Sequence, residues 1–212
     1  ALFGQDYTYD SNGNKIVGDD GVYVFTDDRE YLGSAIADAV GGFKTSFSYK
    51  DFNLSALIDF QVGGIIHSTT LQWSKYSGMH PETVSYNGET DTRANGMVLP
   101  GVLADGSENT KRIDPQGYYQ SKWRVAAPNV YDADYVKFRE LRLSYSLPES
   151  LTSQLSVEDL SISLFGRNLG ILSSDLPYLD PQIITGAGNR QGLENAQVPS
   201  TRSFGLNVIA KF

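Results

Sequence analysis

Strict two-residue alternation, repeated along the chain, constrains this sequence more than any other feature. Phe43, Thr45, Phe47 and Tyr49 alternate with Lys44, Ser46 and Ser48. After Lys50-Asp51 the pattern resumes: Phe52, Leu54, Ala56, Ile58, Phe60 and Val62 alternate with Asn53, Ser55, Leu57, Asp59 and Gln61. Period 2 is the repeat of a strand with two unlike faces. A turn at 50–51 would set residue 49 against 52, 47 against 54, 45 against 56 and 43 against 58. Each apolar residue then meets an apolar neighbour on its own face, and a one-residue slip would destroy the match. Lys-Asp is an unusual tight-turn pair, so a somewhat longer turn is expected.

The same alternation returns twice more. Leu141, Leu143, Tyr145 and Leu147 alternate with Glu140, Arg142, Ser144 and Ser146. Val136 and Phe138 fall on the opposite parity, which predicts a bulge or a barrel rim near Arg139. Pro148 ends this run. Leu160, Ile162 and Leu164 follow, and pairing 145 with 162 and 143 with 164 aligns the apolar faces. The last run reads Phe204, Leu206, Val208, Ala210 and Phe212 on one face, with Ser203, Gly205, Asn207, Ile209 and Lys211 on the other. At roughly 3.3 Å per residue and a tilt near 45°, its 12 residues from Thr201 span about 28 Å, close to a bilayer's hydrocarbon thickness. Such a strand suits an outer-membrane β-barrel, and it equally suits a soluble β-sandwich.

Composition narrows the classes. The chain has 212 residues, 21 Gly, 13 Tyr and no Cys. This is a β-rich, turn-rich composition without disulfide or thiol chemistry. No run of 18 apolar residues occurs, so no transmembrane helix is predicted; barrel strands leave no such run. Net charge is −8, and residues 1–41 hold eight acidic and two basic residues. No basic stripe exists for nucleic acid. The acidic segment reads as a solvated loop with turns at Asp10–Asn14 and Gly18–Gly21. A calcium-loop reading of Asp10, Asn12 and Asn14 fails, because Lys15 stands where such a loop needs Gly and Gly21 where it needs Glu. The opening Ala1-Leu2-Phe3-Gly4 has no initiating Met or signal peptide and reads as a cut into a longer protein.

The connections between strands alternate in length. Those at 50–51 and 148–159 are short; 1–41, 63–133 and 170–200 are long. Outer-membrane barrels alternate short periplasmic turns with long extracellular loops. The long stretch 63–133 reads as irregular, with a hairpin turned at Asp105-Gly106. His67 and His80 read as surface histidines, since two separated His are weak metal evidence.

The run Tyr131-Asp132-Ala133-Asp134-Tyr135-Val136-Lys137-Phe138-Arg139-Glu140-Leu141-Arg142-Leu143-Ser144-Tyr145-Ser146-Leu147-Pro148 resembles SusC/RagA-type TonB-dependent outer-membrane transporters. The segment Gly41–Lys50, Gln61–Gly64, Phe165-Gly166-Arg167-Asn168-Leu169, Leu179-Asp180-Pro181 and Arg202-Ser203-Phe204-Gly205-Leu206-Asn207 fit the same family in order. The resemblance implies an all-β fold: the C-terminal strands of a large transmembrane antiparallel β-barrel with long extracellular loops. Residues 1–41 are then an extracellular loop, 42–62 a β-hairpin, 63–133 a long extracellular loop, 134–169 a second hairpin, 170–200 an extracellular loop and 201–212 the closing strand. It further implies import of a bulky oligosaccharide or peptide across the outer membrane of a Gram-negative bacterium. The implied partners are a SusD-like surface lipoprotein, the TonB complex through a part outside this sequence, outer-membrane lipid, and a homodimer of the transporter pair. The alternatives are a soluble β-sandwich that binds glycans or acts as an adhesin, and a passive porin.

No catalytic constellation is visible, and neither cofactor nor metal is expected: there is no Cys, no nucleophile elbow and no metal motif. Glu140, Arg142 and Arg167 share the polar parity and read as lumen-lining residues. Trp73, Tyr76, Tyr118, Tyr119 and Trp123 are candidate ligand contacts, set against plain loop packing or an interfacial girdle. Phe212 is read as an assembly signal.

Overall fold

The computed structural model describes residues 1–155, 157–184, 186 and 188–212, the side chains of Leu155 and Asn189 aside. It divides into two compact units. One comprises Ala37–Gly64, Asp132–Ile183 and Val198–Phe212; the other comprises Ala1–Ile36, Ile65–Tyr131 and Ile184–Gln197.

The first unit is built on an antiparallel sheet of five strands in simple meander order: β1 (Ala39–Tyr49), β2 (Phe52–Val62), β3 (Tyr135–Ser146), β4 (Asp159–Ser174) and β5 (Ser203–Lys211). The β1–β2 register is the predicted one: Tyr49 opposes Phe52, Phe47 opposes Leu54, Thr45 opposes Ala56 and Phe43 opposes Ile58. The turn is no longer than two residues, correcting the expectation from its sequence. Lys50 takes a left-handed φ of 51°, which lets an unusual residue make a tight turn. Tyr145 opposes Ile162 and Leu143 opposes Leu164, again as the apolar pattern requires.

The predicted phase break is a β-bulge. The register of β3 shifts between Phe138 and Glu140 against both neighbours. Arg139 is the extra residue, and the shift reconciles two opposite parities on one strand. β4 answers with Asn168 at a left-handed φ of 54° and then continues to Ser174, beyond the expected end at 169. At three places on this sheet a phenylalanine ring lies over a cross-strand glycine: Phe60 over Gly41, Phe204 over Gly166 and Phe165 over Gly205. A Cβ on Gly205 would come within 2.5 Å of the Phe165 ring, so only glycine fits there.

One face of the sheet is apolar and open. Phe43 is 65% exposed, Phe47 69%, Leu164 59% and Leu206 62%. A contiguous apolar surface of this kind is a contact surface for lipid or protein rather than for water.

The second unit has the opposite organisation. Val17, Tyr23, Met97, Leu99 and Tyr118 form a buried cluster, with Tyr7, Phe25, Tyr86 and Ile113 packed on it. The acidic N-terminal segment is therefore not simply a solvated loop: its carboxylates lie outside while Val17 and Tyr23 reach the core. Its expected turn is present, with the Asp10 carboxylate accepting from the amides of Asn12 and Asn14, both at 2.8 Å. The stretch 63–133 is more ordered than expected. It contains helix α1 (Thr69–Tyr76) and helix α2 (Pro115–Ser121). Ser68 caps α1 by accepting from the Leu71 amide at 3.1 Å; Asp114 caps α2, with Pro115 at the first helical position. The expected hairpin at Asp105-Gly106 is present, flanked by Met97–Val98 paired with Arg112–Ile113.

Candidate functional site

Two candidate surfaces emerge, one in each unit. On the sheet, the polar parity gathers charge. The Glu140 carboxylate accepts from Arg167 Nε at 2.7 Å and from Arg142 Nε at 3.4 Å. Both guanidinium groups lie against the Phe165 ring, 5.4 Å away for Arg142 and 4.8 Å for Arg167. The three residues singled out from sequence parity thus meet on one face, because Glu140 opposes Arg167 and Arg142 opposes Phe165 in the β3–β4 ladder.

Toward the other end of the strands the same face holds a denser network. Arg139 Nε donates to Asp59 at 2.7 Å. Lys137 Nζ donates to Asp180 at 2.6 Å and to Gln182 at 3.0 Å. Burial alone would raise the Asp180 carboxyl, but hydrogen bonds from Lys137 and Ser200 outweigh it and hold the group below the usual carboxylate range. Sequence reasoning did not single out this pair. The available signal was weak: Lys137 lies on the same face as Asp59, two positions before the bulge.

In the second unit, three of the predicted contacts form one aromatic cluster. Trp73 on α1 lies 5.1 Å from the Trp123 ring and 5.3 Å from Tyr76, and Tyr76 is 6.0 Å from Trp123. The Gln72 amide holds the Trp123 carbonyl, and the Arg124 guanidinium sits 5.0 Å over the Trp123 ring. Trp73 remains 48% exposed, so the cluster offers an open ring face.

Beside it a cleft of about 250 Å³ is lined by Tyr76, Arg93, Asp114, Gln116, Tyr119 and Gln120. Arg93 bonds the Gly78 carbonyl and the Thr83 hydroxyl. Tyr119 faces Glu82 at 3.4 Å, and burial pushes its phenol well up. Tyr118 is placed differently: it is 7% exposed and belongs to the buried cluster. His80 is not a surface residue. It is 4% exposed and caps the turn at Pro81–Thr83, with Nδ1 accepting from the Glu82 amide at 3.2 Å. Burial holds His67 and His80 below the ordinary imidazole range.

The groups brought together on this surface are aromatic faces, amides and paired charges. The chain is 27% identical over 195 residues to TonB-dependent receptor P3 of Formosa agariphila, covering 89% of the chain and 18% of that protein. It is 25% identical over 207 residues to TonB-dependent receptor P26 of the same organism, covering 94% and 19%. No family model matches the chain. Among solved structures it superposes on the RagAB peptide importer in the 'open-open' state with a TM-score of 0.65 and 19% identity, covering all of this chain and 22% of that one. The 'closed-closed' state of the same importer gives 0.62 and 18%, covering 98% and 22%.

The chain thus spans about a fifth of the length of the relatives it matches. The resemblance read from the sequence is upheld: over most of its length the chain is similar to proteins named TonB-dependent receptors, and its fold is that of part of the RagAB importer. These relatives are named as receptors and importers rather than as enzymes.

Proposed function

We propose that this chain supplies part of the wall and the extracellular loops of a transporter that imports a bulky oligosaccharide or peptide across the outer membrane of a Gram-negative bacterium. The observation that carries this reading is the sheet: one face exposes apolar side chains residue after residue, while the other gathers Glu140, Arg142 and Arg167. A charge on the lipid face would cost roughly 2–4 kcal/mol near the midplane, whereas a water-filled lumen accepts it. The edge strands β1 and β5 would pair with further strands of the whole barrel, since unpaired backbone in lipid is costly. A SusD-like lipoprotein on the extracellular side and the TonB complex on the periplasmic side complete the assembly.

The Trp73–Tyr76–Trp123 cluster is the candidate cargo contact. In the full-length protein, Trp73→Ala with Trp123→Ala should raise the half-saturation of uptake about ten-fold, since each ring contributes roughly 0.5–1.5 kcal/mol. Barrel levels should stay normal. Unchanged half-saturation at normal levels would return these rings to loop packing. Uptake should also stop when the proton-motive force is collapsed; uptake that persists would favour a passive porin.

A further inference from the structure

Burial along the polar face of the sheet is uneven. The Glu140 and Arg142 side chains keep 26% and 27% exposure, and Arg167 keeps 55%. Lys137, on the same face of the same strand, keeps 1%. What covers it is the segment that follows β4. Leu176 is 2% exposed, and Asp180 and Pro181 are buried. The chain leaves Ser174 and turns back over the polar face.

One carboxylate closes this segment. Asp180 accepts from Lys137 Nζ at 2.6 Å, from the Gln182 amide at 3.0 Å and from the Ser200 hydroxyl. The Gln182 side chain accepts from Lys137 and Arg139 and donates to the Tyr135 hydroxyl at 2.6 Å. Both ends of the 175–200 connection therefore meet at Asp180. A buried ion pair stabilises little compared with apolar side chains of the same shape, but removing one partner strands a charge. Its value lies in fixing one arrangement, here the position of the segment on the wall.

We propose that residues 175–183 form an inward-folded strap on the lumenal wall, held by Lys137 at the level of the Arg139 bulge, which limits the size of cargo passing that wall. This rests on the transporter reading, in which the polar face is the lumen. The long-loop end of β3 is extracellular in that reading, so a solute entering from outside passes Lys137 before it reaches Ser144.

The test uses the full-length protein in intact cells and maleimide reagents of graded polyethylene glycol mass. Two reporter substitutions are made separately: Leu176→Cys, a buried residue of the strap itself, and Ser144→Cys deeper on the polar face. Lys137→Met should speed small-maleimide labelling of Leu176→Cys at least ten-fold and should raise the largest reagent mass that reaches Ser144→Cys. Lys137→Met with Asp180→Leu, which removes both charges, should restore protection. Asp180→Asn provides a second release variant if Lys137→Met assembles poorly.

Equal protection of Leu176→Cys in the parent and in the release variants would overturn the clamp. Faster labelling with an unchanged mass limit at Ser144→Cys would overturn the size-limiting role. Failure of the transporter reading looks different: even the smallest hydrophilic reagent would then miss Ser144→Cys in the parent, and the lumenal strap would fall with it.

Discussion

The two units of this chain handle apolar side chains in opposite ways. The second unit has an apolar core inside: Met97 and Leu99 are 0% exposed, and Val17 is 1% exposed. In the sheet the apolar residues are outside: Phe43, Phe47, Leu164 and Leu206 are all well over half exposed, while Lys137 is sealed. The hydrophobic effect has one sign for both, so the apolar face of the sheet must be covered by something other than water. A unit with its apolar residues gathered inward is built for water. In the proposed transporter, a sheet with its apolar residues turned outward faces hydrocarbon, where only closed hydrogen-bonded structures survive. The same chain carries both arrangements, as the proposed membrane wall with aqueous loops would require.

The largest effect that tests this contrast should come from Leu99→Ala. Removing a fully buried leucine leaves a cavity and should cost roughly 2–5 kcal/mol. The loss should stay within the loop unit. Hydrogen exchange of the Met97–Val98 amides should accelerate strongly while the barrel's heat-modifiable gel shift is kept. Loss of the gel shift as well would mean that the two units are not stabilised separately.

Next is Leu143→Arg, which places a charge on the exposed apolar face between Leu54 and Leu164. It should cost roughly 2–4 kcal/mol and impair insertion. Ser144→Arg, one residue away on the polar face, should be tolerated better. Equal damage from the two substitutions, read by folded barrel in the outer membrane, would break the assignment of faces.

The smallest effect should come from Glu140→Gln. Its partner Arg167 is half exposed, so the pair contributes at most about 1 kcal/mol. A double-mutant cycle with Arg167→Gln would measure the coupling from barrel melting. A coupling several times larger would show that this end of the polar face is as dry as the Lys137 end, and would sharpen the contrast in the other direction.

How much of this was legible beforehand follows from the range of the forces. Alternation is a local property of the backbone, so strands, faces and register could be read from residues 43–62 and 141–165. The bulge at Arg139 could be read too, because a change of parity within one strand has few other geometric causes. The meeting of Glu140, Arg142 and Arg167 followed from register alone. The aromatic cluster was legible only as a set of residue types: Trp73 and Trp123 are fifty positions apart, and only the folded unit brings them into contact. Helices α1 and α2 were missed because each is about two turns long and carries no extended periodicity.

By itself, then, the sequence determined which residues face which way along each strand, because side-chain direction in a strand is fixed by covalent geometry. Only the tertiary structure decided which of the inward residues are wet. Lys137 and Glu140 share a face and a strand, yet one is buried and the other is open. The difference is made by Asp180, more than forty residues downstream, whose segment returns across the sheet. The core of the second unit was decided in the same way, by Val17 meeting Leu99 and Tyr118 across long stretches of chain. Burial depends on what packs above a residue, and packing between distant segments leaves no periodic mark on either of them.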